Sequence, residues 1–184
     1  MKRLSHLPPH LYSALSKAAT MIERYYGNST RKHEPRLASD HLFDVVIVVA
    51  RYRQDENSLL AALGHDCIED YRESQIQIEQ QFPARAVELI MMLTKPPSGP
   101  SDIERDNRNS LYWSKLASDN TALLIKLADT LCNVPGIHES AEYKARFIRE
   151  KSQFLHIVKE AAFLEEDTKE LWMTLNDRVS ALLD

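Results

Sequence analysis

An all-α fold follows from three features of this 184-residue chain. It holds only four glycines, while Ala, Leu, Glu and Lys, all strong helix formers, are frequent. Apolar residues recur at three- and four-residue spacing over most of its length. Ser and Asp stand where several of these periodic runs begin, as helix N-caps do.

The elements follow in order. After Pro8-Pro9, Leu11, Leu15, Ala18, Ala19, Ile22 and Tyr26 share a helical face over residues 10–26, and Gly27-Asn28 stops that helix. A polar connector over 29–38 carries Arg31-Lys32-His33, and Pro35 argues against a regular helix through it. Ser39 reads as the N-cap of a second helix over 40–53, with His41 in its first turn. The run Val45-Val46-Ile47-Val48-Val49 is β-branched, but the cap and the helical flanks favour a buried helix. Asp55-Glu56-Asn57 opens a third helix, which carries AALGHDCIED at 61–70. Two short helices over 74–82 and 84–94 are divided by Pro83, and KPPSGP at 95–100 is the clearest loop. Ser101 caps a polar helix reaching about residue 117. A strongly apolar helix over 121–133 ends at Pro135-Gly136. Long helices over 140–164 and from 167 onward complete the chain. Without a repeat, an interdomain linker or a low-complexity tract, residues 1–184 read as a single domain, a bundle of about eight helices.

Composition narrows the function. A net charge of −4 gives no electrostatic footprint for duplex nucleic acid, so a phosphate-bearing ligand needs a local basic cluster. Cys67 and Cys132 form no CxxC pair, which points away from a disulfide framework or a thiolate zinc site and fits a reducing cytosol. With no signal-peptide core and no apolar run near 18 residues, the sequence predicts a cytoplasmic protein with no membrane partner.

Chemistry concentrates at 61–70. In a continuous helix His65 lies one turn below Glu69, and Asp66 one turn below Asp70. Acids crowded on a half-buried helix are unfavourable unless a cation or proton offsets them. A His-Asp dipeptide alone is far more often a core histidine beside solvated acids, so other parts of the chain must supply further ligands. Lys126, Asp129 and Asn133 stand at i, i+3 and i+7, a polar stripe on an otherwise apolar helix. That stripe reads equally as a surface ion pair. His41 alone reads as a surface histidine, and Arg31-Lys32 as solvated cations. Together, His41, His65, Asp66 and Asp129 make a two-nitrogen, two-oxygen set suited to one divalent ion such as Mn²⁺, Fe²⁺ or Zn²⁺.

The order H…HD…D resembles the HD-domain metal-dependent phosphohydrolases, and more narrowly the hydrolase domain of RelA/SpoT-type alarmone enzymes. The resemblance runs over about 26–149. It rests on Thr30-Arg31-Lys32, on AALGHDCIED beside the family's AALLHD..ED, on LIMMLTK at 89–95, and on IKLADTLCN at 125–133 beside vKLADrl.N. It implies an HD-type helical bundle. It further implies a Mn²⁺-dependent pyrophosphohydrolase removing the 3′-pyrophosphate of ppGpp or pppGpp, a small-molecule nucleotide substrate. Carried over by position, His41, His65, Asp66 and Asp129 match the metal ligands. Glu69 and Asp70 match the acidic pair that activates or positions water. Arg31 and Lys32 match a basic pair on the nucleotide, and Lys126 and Asn133 match site-lining positions. Arg149, in RFIREK, resembles the arginine of the family's R-I-A-R-E-T segment. Three positions depart: RLASDHLF replaces PYI.HP around the first histidine, Tyr26 a common histidine, and Thr130 a basic residue. These substitutions leave open another nucleotide, such as an adenosine alarmone, NADPH or a nucleoside monophosphate. A degenerate nucleotide-binding protein without activity is the further alternative. The length leaves no room for a nucleotide-synthesis domain, so the expectation is a small stand-alone hydrolase.

Overall fold

The computed structural model describes residue 4 and residues 7–30, 36–97, 101–134 and 140–183. These fall into two compact units, Met1–Thr94 and Lys95–Asp184. Regular structure among the described residues is helical, apart from an isolated antiparallel bridge between Thr30 and Leu37. The all-α expectation holds. No helix there is long and apolar enough to cross a membrane.

The first unit contains α1 (Pro9–Tyr26), α2 (Ala38–Val49), α3 (Glu56–Gly64), α4 (Cys67–Asp70), α5 (Ser74–Gln81) and α6 (Ala84–Leu93). Its organising element is α3, against which α1, α2 and α6 all pack. The reason lies in sequence: every residue from Ser58 to Gly64 is buried. Asp55 caps this helix, its carboxylate accepting from the Ser58 backbone N–H at 2.9 Å. Val45, Val46 and Val49 are wholly buried on α2, so the β-branched run is a helix whose packing overrides its strand propensity.

Two boundaries differ from expectation. Leu37, not Ser39, precedes the first turn of α2, because Leu37 is held extended by the bridge to Thr30 and the Ala38 N–H bonds the Ser29 carbonyl at 2.8 Å. The same helix ends at Val49, four residues early, where i→i+3 bonds from Arg51 to Val48 and Tyr52 to Val49 tighten the chain into a turn.

The central motif is also not one continuous helix. α3 stops at Gly64, His65 and Asp66 form a turn, and α4 restarts at Cys67. The His65 ring takes the Ala62 carbonyl at 2.8 Å, the group a continuous helix would offer to the Asp66 N–H. A side chain thus competes with the backbone ladder where the site is built. Gly64 makes this close packing possible: a Cβ there would meet Ile90 Cδ1 at 2.7 Å and the Phe82 ring at 3.4 Å. Gly64→Leu is therefore expected to destabilise the protein by at least ~1–3 kcal/mol through overpacking. Thermal melts that leave the midpoint unchanged would show that the space is not closed.

The second unit contains α7 (Asp102–Leu116), α8 (Asn120–Asn133), α9 (Ala141–Ala162) and α10 (Glu166–Ser180). Here α10 packs on α8 and α9, and α9 also packs on α7. Ser101 opens α7 with a reciprocal capping box: its hydroxyl accepts from the Glu104 N–H while the Glu104 carboxylate accepts from the Ser101 N–H. Asp119 opens α8 by accepting from the Thr121 and Ala122 N–H groups, both at 3.0 Å, and Ser140 opens α9.

Candidate metal centre

His41 lies in the first turn of α2 and His65 just past α3, both buried. Their rings meet edge to face, centroids 5.4 Å apart. The Ala62 carbonyl can only accept, so His65 Nδ1 donates and Nε2 carries the lone pair. That Nε2 stands 3.2 Å from Asp66 Oδ2. Two lone-pair atoms at that distance repel unless a proton or cation lies between them. The backbone bond also fixes the ring as it is fixed in metal-bound histidines. One donor atom from each of His41, His65 and Asp66 lies within 4.8 Å of the others. This cluster can hold a metal ion, and its imidazole and carboxylate donors fit a hard to borderline divalent cation.

Glu69 and Asp70 occupy the exposed end of α4, with the Asp70 N–H bonded to the Asp66 carbonyl at 2.9 Å. Tyr26, at the end of α1, is buried and donates its hydroxyl to Asp70 Oδ2 at 2.8 Å. Burial first, and then the negative charges of Asp70 and Asp66, pushes the phenol well above its ordinary range. Tyr26 therefore stays protonated, a permanent donor to Asp70. Its ring is braced edge-on by Tyr71 at 4.9 Å. Burial, with a further push from Asp66, raises the Cys67 thiol to about 12, so it stays neutral and offers no thiolate.

In the second unit, Asp129 is buried and held on both oxygens. Lys126 Nζ donates to Oδ2 at 2.7 Å and Asn133 Nδ2 to Oδ1 at 2.7 Å. The polar stripe on α8 is thus a hydrogen-bonded network around a buried carboxylate rather than a surface pair. Thr130 is fully buried, its hydroxyl bonded back to the Lys126 carbonyl at 2.8 Å. Arg149 is half-exposed on α9, 3.7 Å from Asp106 on α7. Arg31 and Lys32 lie outside the described residues.

Sequence reasoning passed over three groups. One is the Tyr26 hydroxyl. The others are Lys95 and Lys151, which stand in the segments LIMMLTK and RFIREK. Burial, then the neighbouring cations Lys126, Lys151 and Arg108, lowers Lys95 to about 7. Burial, then Lys126, lowers Lys151 to about 8, against opposing pulls from Asp129 and Glu150. Between about pH 8 and the unfolded value of 10.5, the unfolded chain holds the Lys151 proton more than the folded chain does. Stability then rises with pH across that window. The parent is expected to gain stability relative to Lys151→Met between pH 8 and 10.5. A difference that stays flat in denaturant titrations at several pH values would contradict the depressed ammonium.

A helical scaffold that gathers two imidazoles and a carboxylate at the close of its core helix is a metal-site helical domain. The chain belongs to the HD domain family, which matches residues 14–157. It is 27% identical over 156 residues to the guanosine-3′,5′-bis(diphosphate) 3′-pyrophosphohydrolase of Aquifex aeolicus, covering 84% of this chain and 22% of that protein. It is 25% identical over 165 residues to a probable enzyme of the same name in Mycoplasma pneumoniae, again over 84% and 22%. The GTP pyrophosphokinase rsh of Brucella suis is 25% identical over 202 residues, 100% of this chain and 27% of that protein. The chain thus spans about a quarter of the length of these curated relatives. A solved structure of a metazoan ortholog of SpoT that hydrolyzes ppGpp superposes with a TM-score of 0.71 at 21% identity, covering 93% of this chain and 96% of that one. At that identity it establishes a shared fold.

Proposed function

We propose that this protein is a metal-dependent pyrophosphohydrolase that removes the 3′-pyrophosphate of ppGpp or pppGpp. The observation that carries the reading is the convergence of His41, His65 and Asp66 within 4.8 Å. It is supported by the names of the Aquifex and Mycoplasma relatives. The HD domain match runs through both units, which supports treating residues 1–184 as one working domain.

Asp129 is the fourth ligand, its carboxylate oriented by Lys126 and Asn133. Mn²⁺ is the first choice of ion on the family resemblance, and two imidazoles and two carboxylates without thiolate are compatible with it as with Fe²⁺ or Zn²⁺. When bound, the ion supplies Lewis-acid activation of water and neutralises phosphoryl charge. Glu69 and Asp70 take up the proton, being exposed carboxylates within a turn of Asp66. Tyr26 fixes the Asp70 carboxylate by its hydrogen bond. Arg31 and Lys32 hold phosphate through charge-assisted hydrogen bonds, and Arg149 is a further phosphate-binding residue by its match to the family segment.

The test is an assay of the purified chain with Mn²⁺ against ppGpp, deoxynucleoside monophosphates and NADPH side by side. Release of pyrophosphate from ppGpp, lost on chelation, is the expected result. Turnover of another nucleotide with ppGpp untouched would move the assignment to that substrate within the same chemistry. No turnover of any of them, with metal bound, would leave a binding protein.

A further inference from the structure

We propose that Tyr71 is a positioning residue for the acid end of α4, acting on Asp70 through the ring and hydroxyl of Tyr26. The inference rests on the pyrophosphohydrolase reading above and adds a residue that reading does not include.

Three links close on one another around Asp70. Tyr71 follows Asp70 in the chain, so a peptide bond joins them. The Tyr71 ring meets the Tyr26 ring edge to face, centroids 4.9 Å apart and planes at 73°. The Tyr26 hydroxyl then returns to Asp70 Oδ2 at 2.8 Å. In such a closed triangle each link limits the play of the other two. A tyrosine hydroxyl sits at the far end of a rigid ring, so a small swing about χ1 displaces it most. The edge-on contact with Tyr71 restrains that swing.

Tyr71 is itself held on every side that the triangle needs. Its N–H bonds the Cys67 carbonyl at 2.9 Å, closing α4, and its carbonyl takes the Ser74 N–H at 2.8 Å, opening α5. Its ring also lies against Tyr25, centroids 5.9 Å apart, and its hydroxyl stands 3.4 Å from Ser29 Oγ. Tyr25, Tyr26 and Ser29 belong to one short stretch, the close of α1 and the turn after it. There the Ser29 N–H bonds the Tyr26 carbonyl at 2.8 Å. Tyr71 thus ties the end of α4 to the end of α1, its contact with Ser29 spanning 42 positions. Tyr26 stands where the family commonly carries histidine, so the phenol link is a feature of this chain. The consequence is chemical as well as structural. A proton acceptor works only within reach of the proton it takes, and a misplacement of ~1 Å can lose ~10²-fold in rate. Loosening Tyr71 frees the phenol, and with it the orientation of Asp70, while the metal donors of His41, His65 and Asp66 lie outside the triangle.

The experiment is a double-mutant cycle on the full chain, crossing Tyr71→Ala with Tyr26→Phe and read in two ways. One is kcat and KM for ppGpp with Mn²⁺, alongside metal analysis. The other is unfolding in urea, which needs no substrate. Tyr71→Ala is expected to lower kcat about 10-fold with KM and metal content near the parent's, and Tyr71→Phe, which keeps the ring, to stay within about 2-fold of the parent. In the Tyr26→Phe background Tyr71→Ala should add little, since no hydroxyl is left to position. In urea, Tyr26→Phe should lower the folding constant about 5-fold in the parent, as for one hydrogen bond, and much less once Tyr71 is replaced. If Tyr71→Ala fails to fold, Tyr71→Leu takes its place with the same expectation, since it fills the space without an aromatic edge. Rate losses that simply multiply, or a Tyr71→Phe as slow as Tyr71→Ala, overturn the positioning role. Additive effects in urea overturn the triangle itself. A parent that leaves ppGpp untouched while the urea cycle shows coupling removes the guanosine reading and keeps the triangle. Turnover of ppGpp with multiplying losses keeps that reading and removes the role of Tyr71.

Discussion

His65→Ala is expected to abolish metal binding and, with it, turnover of the nucleotide. The ring does two jobs that alanine cannot share between them. Its Nδ1 is tied to the Ala62 carbonyl at 2.8 Å, and that bond aims Nε2 at Asp66, 3.2 Å away. Removing the ring takes away a nitrogen ligand and leaves the Asp66 carboxylate without the group that defines the site. The loss is larger than for a peripheral residue because the remaining donors are few and one of them, Asp66, is partly exposed. Metal analysis after dialysis is the direct check, with far-UV circular dichroism to show that the helices persist. Full occupancy in His65→Ala would refute the assigned cluster. His41→Ala carries the same expectation and tests the RLASDHLF departure, since His41 enters the cluster from the first turn of α2 rather than from the central motif.

Why some of this was legible in sequence and some was not comes down to the range of each interaction. Helix positions follow from local period and caps, so α1, α5, α6 and α9 begin and end close to expectation. The start of α2 does not, because a bridge between Thr30 and Leu37 decides it. The break at His65-Asp66 depends on a side chain choosing a backbone carbonyl, which periodicity cannot register. His41, His65 and Asp66 were readable as candidate ligands only in combination, since each alone reads as a core or surface residue, and the fold brings a donor atom of each within 4.8 Å of the others. The Tyr26 role was hidden for the opposite reason. A tyrosine on an apolar face reads as core, and only the fold brings its hydroxyl to Asp70, 44 positions away. Lys151 was hidden in the same way. An exposed-looking lysine in a polar helix gives no hint that Lys95 and Lys126 crowd its ammonium.

Glu69→Gln combined with Asp70→Asn is expected to keep the metal and the nucleotide while losing roughly 10²–10⁴-fold in rate, the usual worth of a lost acid–base group. The structure sets up the separation. Both carboxylates sit at the exposed end of α4, past the turn that holds His65 and Asp66, so amidation leaves the ligand cluster in place. The amide oxygen introduced by Asp70→Asn can still accept from the Tyr26 hydroxyl, which preserves the brace at that end of the helix. What the amides cannot do is take up a proton, and that is the one property removed. Tyr26 does not replace them, because burial keeps its phenol protonated. Cys67 does not either, because its thiol is raised to about 12. Single-turnover kinetics with ppGpp, alongside metal analysis and substrate binding, separate the outcomes. If the doubly amidated protein turned over at the parent rate with metal bound, Glu69 and Asp70 would be solvated helix-end acids, and the proton would have to leave by a group beyond α4.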